Sequence, residues 1–437
     1  MDSQTKPVQT FIINTSWIFS ASVLASVAGI IVKILLARYL GPTGLGHFTL
    51  ALYFPELAVL FLRLGLPMSN IYFVGSGQIS EQQAFSNSIS IALLISLGGM
   101  LIYLTILPWI KHPFLKDMPI SFALIGAFSL PLTMLIIFTE SILQGKERLR
   151  DISLVKLLQA ISWLSLVLLV VVGLSQGTYG ALVSFLLRDS LTLTGILLLL
   201  LRSLKFWPTL DLVLLKKQLT YGLKGHLGSI VLFFNFRFDI LFITFFLTPR
   251  EVGIYSLAVV MSESLWKFAD AVQAVIFPRT AATQGSANFT LRVQTVVTAV
   301  TVTGSLLLIM LGKPVIGWLF SKAFEEAYVV AVCLCPGIIA LTFAKIFNAD
   351  LVGRGYPWVI FQAAACGLPF TLLLNPLLIP LLGIQGAAIT SSISYIANGI
   401  FSVLFFSRIC KISYVDLLAT INPWQWWKLA TTRHFIP

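Results

Sequence analysis

Charge is what this chain has least of: Asp, Glu, Lys and Arg together make up 11% of its 437 residues. A soluble domain carries roughly 25%, so the shortage excludes water as the main solvent for this surface. Cysteine is scarce too, with Cys333, Cys335, Cys366 and Cys410 each in or beside an apolar run. The Cys333-x-Cys335 pair has no His or second Cys pair to complete a metal site, so the thiols read as helix packing. His47, His112, His226 and His434 are dispersed and suggest neither a metal site nor a triad. Lys146 follows Gly145, but no Gly stands five residues earlier and no Ser or Thr follows. That excludes a phosphate-binding P-loop and leaves ATP-driven transport by this chain alone without support. No motif supplies catalytic chemistry or holds a cofactor, and the chain does not read as an enzyme.

Apolar residues fill the space that charge leaves. They make up 57% of the chain, and the mean hydropathy is +0.93. Runs of about 20 recur, as α-helices crossing a hydrocarbon core roughly 30 Å thick require. The fold class is therefore an all-α polytopic membrane protein with no soluble domain. Twelve spans are expected near 11–36, 46–66, 84–108, 119–141, 152–175, 178–203, 221–246, 252–276, 291–311, 325–349, 357–381 and 385–408. The first apolar run is too long for a signal-peptide core and has no small-residue cleavage site, so it reads as a retained span.

The net charge of +12 follows topology. With a cytoplasmic N-terminus the inside segments hold fifteen Lys and Arg, among them Lys146, Arg148, Lys216, Lys217 and Arg354, and the outside loops hold six. The positive-inside rule then places both termini in the cytoplasm. There is no basic stripe with interleaved aromatics, so nucleic acid is not an expected partner. Trp424, Trp426, Trp427, Lys428 and Arg433 give the tail the composition of an interfacial anchor among membrane lipids.

The chain repeats itself. "LGPTGLGHFTLALYFPE" (40–56) aligns without gaps to "LTPREVGIYSLAVVMSE" (247–263), "LQGKE" (143–147) echoes "LVGRG" (351–355), and "GTYGALVS" (177–184) echoes "GIQGAAIT" (383–390). Two halves of six spans each enter the membrane in the same sense, a parallel pseudo-two-fold repeat of the kind that encloses a transport site. The expected divisions are a lobe at 1–203, a cytoplasmic linker at 204–217, a second lobe at 218–409 and a tail at 410–437.

Charges inside the spans are costly, at about 2.5–3.5 kcal/mol each on insertion scales. Glu263, Lys267 and Asp270 fall at i, i+4 and i+7, and Glu56 and Arg63 at i and i+7, so each set is expected on one helix face. Either these groups lock helices together as ion pairs or they line a hydrated cavity. In the seventh span Arg237 and Asp239 are two residues apart and point to nearly opposite sides, so at most one faces a cavity squarely. An arginine stays charged and can grip a phosphate through two parallel hydrogen bonds. Gly222, Gly225 and Gly228 open that span, read either as a loosened helix or as close packing against the first helix. Lys224, Glu140 and Lys345 are within snorkelling reach of an interface and are therefore not taken as site candidates.

"LLARYLGPTGLGHFTLAL" (35–52), "RLGLP" (63–67), "LQGKER" (143–148) and "NPLLIPLLGIQGAAITSSISY" (375–395) resemble the oligosaccharide flippases of the polysaccharide transporter family. That family is a branch of the multidrug/oligosaccharidyl-lipid/polysaccharide exporter superfamily. The resemblance implies a twelve-helix fold like that of the multidrug exporters, a cationic cavity and alternating access. It implies an undecaprenyl-diphosphate-type oligosaccharide as substrate, moved across the cytoplasmic membrane of a prokaryote, with glycan polymerase and glycosyltransferases as partners. The substrate-contacting cations it implies are Arg63, Arg237, Lys267 and Lys33. The acidic cavity or ion-coupling positions are Glu56, Asp239, Glu263 and Asp270, with H+ or Na+ as the coupling ion. Arg63 stands where many relatives carry an acidic or polar residue, which argues against ion coupling there. A cation-coupled exporter of amphipathic drugs is the alternative, disfavoured by these cations, and a non-transporting scaffold in a glycan-assembly complex is a third class.

Overall fold

A computed structural model describes residues 5–205, 210–283 and 287–413, with side chains from residue 24 onward except at Lys224, Pro278, Ala282 and Thr283. The tail reading and the Pro208 part of the linker lie outside these residues. Nearly every described residue is helical, as a backbone without water to bond to requires. Among the described residues ten helical stretches are long and apolar enough to cross a membrane. One of them lies within α1 (Thr5–Leu62), which holds two limbs because Gly41 breaks it at φ 64 and Pro42 restarts it. The eighth expected span is a broken pair, α9 (Pro249–Ser264) and α10 (Lys267–Thr283), parted at Leu265–Trp266. Counting both features recovers the twelve expected segments.

The chain forms two compact units, residues 1–230 and 231–437. Their boundary falls inside α8 (Leu212–Phe246), downstream of the 204–217 segment. Unit 1 contains α1, α2 (Leu66–Gly75), α3 (Glu81–Phe114), α4 (Ile120–Ala127), α5 (Ser129–Gly145), α6 (Leu149–Leu166), α7 (Gly177–Leu201) and the first half of α8. Its starts are set locally: Ser80 and Gln83 form a capping box at α3, and Gly65 at φ 71 opens α2. Unit 2 contains the second half of α8, α9, α10, α11 (Ala287–Leu319), α12 (Glu326–Gly353), α13 (Val359–Leu382) and α14 (Ile384–Cys410). A capping box of Thr248 and Glu251 starts α9.

The sequence repeat recurs as a packing repeat within each unit. Gly145 ends α5 against α2, where an added Cβ would lie 3.0 Å from the Val74 Cβ and 3.2 Å from the Ile71 oxygen. Its counterpart Gly353 ends α12 against α10, with Thr280 at 2.8 Å and the Phe277 oxygen at 2.9 Å. The echoed glycines therefore hold the same helix crossing in each half. Small residues let backbones approach, which drives helix association where lipid and side chain are equally apolar.

One sequence reading is corrected by these breaks: the break at Leu265–Trp266 separates Glu263 from Lys267 and Asp270. Arg63 keeps the helical bond to the Val59 oxygen at 3.0 Å, and the chain turns away only at Leu64 (φ 50) and Gly65 (φ 71). The glycines of α8 are a second correction. The helix is continuous, and Gly222 packs on Gly65 and Gly225 on Met68, so the partner is the start of α2 and not the first helix.

Candidate functional site

In unit 1 the candidate site lies where α2 and the first half of α8 meet. An added Cβ on Gly65 would come within 2.1 Å of the Gly222 oxygen, so the two backbones touch. Below that contact the helices are joined by buried polar groups. Ser69 Oγ donates to the Gln218 oxygen at 2.6 Å, Gln218 Nε2 donates to Asn70 Oδ1 at 2.7 Å, and Asn87 Nδ2 donates to Gln218 Oε1 at 3.2 Å. Each buried amide is thus matched, as burial away from water demands.

Above the contact the pattern changes. Arg63 sits half-buried at the end of the α1 limb, and among the described residues no acceptor pairs with its guanidinium. His226 on α8 is its electrostatic neighbour and lies against the Phe61 backbone. The imidazole is 4% exposed, and its Nε2 has no hydrogen-bond partner among the described residues. The His226 ring already donates to the Phe61 backbone, so its Nε2 is a lone-pair acceptor, and the anion receptor here is the uncompensated Arg63 guanidinium alone. The sequence reading singled out Arg63 and passed over His226, because 163 residues separate the two in the chain (226 − 63). The GxxG spacing beside it was the available signal.

In unit 2 three charged groups are sorted by helix face. Arg237 grips Glu263 through a fork, Nη1–Oε1 at 2.9 Å and Nη2–Oε2 at 3.4 Å. Asp239 points the other way, is 4% exposed, and accepts from the hydroxyl of Tyr255 and from Ser391 Oγ at 3.3 Å. Asn235, one turn earlier on α8, accepts from Ser394 Oγ at 2.5 Å. The i, i+4 pair Asn235 and Asp239 therefore meets the i, i+3 pair Ser391 and Ser394 of α14, a polar seam between two helices. Tyr255 and Ser391 were not legible as partners, since a Tyr or Ser in an apolar run carries no mark of what it will face.

The third group is Lys345 Nζ on Asp270 Oδ1 at 2.6 Å, with Lys267 Nζ 3.8 Å from Asp270 Oδ2. Lys345 also lies 4.8 Å over the Trp266 ring. Its side chain is 19% exposed and bridges α12 to α10, so a residue the sequence reading set aside is an ion-pair partner. Lys267 is the exposed member, at 71%. Lys33 and Glu56 stand exposed on the two limbs of α1, each with a partner. The structure thus brings Arg237 to Glu263 and Lys267 to Asp270, and leaves Arg63 apart from every acidic candidate. Among the described residues no group of three or more His, Cys, Asp or Glu could hold a metal ion, and all four cysteines are free thiols.

Comparison with known proteins places this architecture. Over 92% of its length the chain superposes on 89% of a solved structure of the lipid II flippase MurJ in an inward closed conformation, with a TM-score of 0.78 at 17% identity. An inward-facing multidrug resistance MATE family transporter of the MOP superfamily matches with a TM-score of 0.69 at 16% identity, over 89% of this chain and 94% of that one. The fold is therefore that of this transporter superfamily. By sequence the chain is 25% identical over 304 residues to Agl15 of Haloferax volcanii, described as a probable low-salt glycan biosynthesis flippase, covering 66% of this chain and 63% of that protein. It is 28% identical over 217 residues to MJ1068 of Methanocaldococcus jannaschii, an uncharacterized membrane protein, covering 46% and 41%. The chain spans less than two thirds of the length of these curated relatives. The family described as polysaccharide biosynthesis protein matches residues 11–284, more than half of the chain, and the chain belongs to that family.

Proposed function

We propose that this protein flips a polyprenyl-diphosphate-linked oligosaccharide from the cytoplasmic to the outer leaflet of a prokaryotic cytoplasmic membrane, feeding polysaccharide synthesis. Alternating access through a cationic cavity moves the headgroup, both termini stay in the cytoplasm, and glycosyltransferases and a glycan polymerase act before and after it. The observation that carries this reading is Arg63, a half-buried guanidinium for which no acceptor stands among the described residues, in a chain of the polysaccharide biosynthesis family. A diphosphate is the complementary ligand, because its oxygens take both parallel N–H bonds that an arginine offers. The descriptions of Agl15 as a glycan flippase and MurJ as a lipid II flippase support the same substrate class.

Arg237 has a lesser part, since Glu263 occupies its fork. Asp239, buried with two hydroxyl donors, is the acidic group assigned to H+ or Na+ coupling. The test is translocation of a fluorescent polyprenyl-diphosphate oligosaccharide in proteoliposomes, wild type against Arg63→Gln. Movement that the folded variant slows at least about tenfold, the value of one charge-assisted bond, supports the reading. A well-folded wild type that moves none of several such glycans overturns it in favour of drug export.

A further inference from the structure

The α2–α8 pair carries a second cationic position at its other end. Lys216, Lys217, Thr220 and Tyr221 of α8, with Phe73 of α2 and Val213, line an open cavity of about 460 Å³. It is a shallow, widely open depression, and no carboxylate stands among its lining residues. Among the described residues neither lysine has an ion-pair partner. Lys217 is nevertheless held in place, with Nζ 3.1 Å from Gln78 Oε1 and 4.7 Å over the Phe73 ring. Beside it Tyr72 and Tyr221 stack at 4.4 Å with an interplanar angle of 14°. Both rings are partly exposed, the arrangement of an aromatic belt at headgroup depth.

This cavity lies on α8, which carries His226, and on α2, whose first residue follows the turn after Arg63. From Lys217 to His226 is nine residues of α8, roughly 13 Å along the axis at 1.5 Å per residue. Between them the helices close on Gly65 and Gly222. The pair therefore presents one cationic pocket at its mouth and another about two and a half turns deeper.

We infer that Lys216 and Lys217, seated against the Tyr72–Tyr221 stack, form an entry site that captures the diphosphate of the polyprenyl carrier at the cytoplasmic headgroup layer, before it reaches Arg63. The inference rests on the flippase reading and adds to it a first binding station. Two ammonium groups without carboxylates attract a multiply charged phosphate more strongly than a singly charged phospholipid, which selects the carrier over bulk lipid. Open access suits capture, whereas the closed α2–α8 contact above it holds the deeper site apart.

The test measures equilibrium binding of farnesyl diphosphate to the purified full chain in phosphatidylcholine nanodiscs, alongside translocation in proteoliposomes. Lys216→Gln/Lys217→Gln is expected to weaken farnesyl diphosphate binding at least about tenfold and to raise the KM for translocation with kcat retained. Lys216→Arg/Lys217→Arg is expected to restore both. Unchanged binding and KM in the Gln double variant of an active protein would overturn the entry site and leave the flippase reading standing. Displacement of farnesyl diphosphate by phosphatidylglycerol at equal concentration would also overturn it, by showing a bulk-lipid site. Lysine-dependent diphosphate binding by a wild type that moves no oligosaccharide would uphold the site and remove the flippase reading instead.

Discussion

Arg237 and Asp239 illustrate how two charges two residues apart are each accommodated by a separate partner. The Arg237–Glu263 fork joins α8 to α9, and interhelical polar contacts of this kind in membranes contribute about 0.6 kcal/mol on average and up to about 1.7. A double-mutant cycle of Arg237→Gln and Glu263→Gln, read by thermal unfolding in detergent, should therefore return a coupling near 1 kcal/mol. A coupling near zero would remove the pair from the structural ledger and return Arg237 to the list of substrate contacts. At Asp239, Leu would remove the buried acceptor that Tyr255 and Ser391 share and leave the two hydroxyls only each other, 3.4 Å apart, at a cost of about 1–3 kcal/mol. Asp239→Leu should accordingly lower Tm clearly while Asp239→Asn does not. If Asp239 carries the coupling ion, the Asn variant should also lose any dependence of transport on pH or Na+, and an unchanged ion response would assign Asp239 to packing alone.

At the scale of helices, glycine decides which crossings close. Gly222 would place a Cβ 2.5 Å from the Gly65 oxygen, whereas Gly228 has open space around it. Overpacking of a tight contact costs about 1–3 kcal/mol, and Ala in an unobstructed helix position gains up to about 1 kcal/mol over Gly. Gly222→Ala should lower Tm and Gly228→Ala should hold or raise it, although the two sit on the same helix six residues apart. Equal effects would mean that helix propensity, and not the α2–α8 contact, sets the response. Gly145→Val and Gly353→Val give a paired test of the repeat, since each glycine ends a helix against the equivalent neighbour in its own unit. Both should impair folding to a similar degree in a detergent melt. These positions were legible as echoes in the sequence, but only the backbone placement shows which helix each one meets.

For the molecule as a whole, orientation follows from the placement of Lys and Arg and is checked without any substrate. The positive-inside reading puts Lys322 outside and Lys216 inside, and both positions are exposed, so Lys322→Cys and Lys216→Cys test it in a variant with the four free thiols removed. A membrane-impermeant maleimide applied to intact cells should label the first and spare the second. The reverse pattern would invert the topology and move the proposed lysine entry site to the outer face, where no cytoplasmic substrate could enter it.

Composition and periodicity by themselves determined that the chain is a helical membrane protein with a repeated half. Apolar runs of span length and paired glycines are local features that the solvent and close backbone approach impose directly. The charged positions were equally visible, because an ionised group in an apolar run is conspicuous wherever it occurs. Only the tertiary structure decided their partners: Arg237 took Glu263, Lys345 took Asp270, Asp239 took Tyr255, and Arg63 took none of the acidic candidates. The reason is physical. Helix periodicity fixes a side chain's direction only while the helix is unbroken, and the chain turns at Gly41, Leu64–Gly65 and Leu265–Trp266, close to where the charges lie. Which helix then stands opposite is settled by packing between segments far apart in the chain.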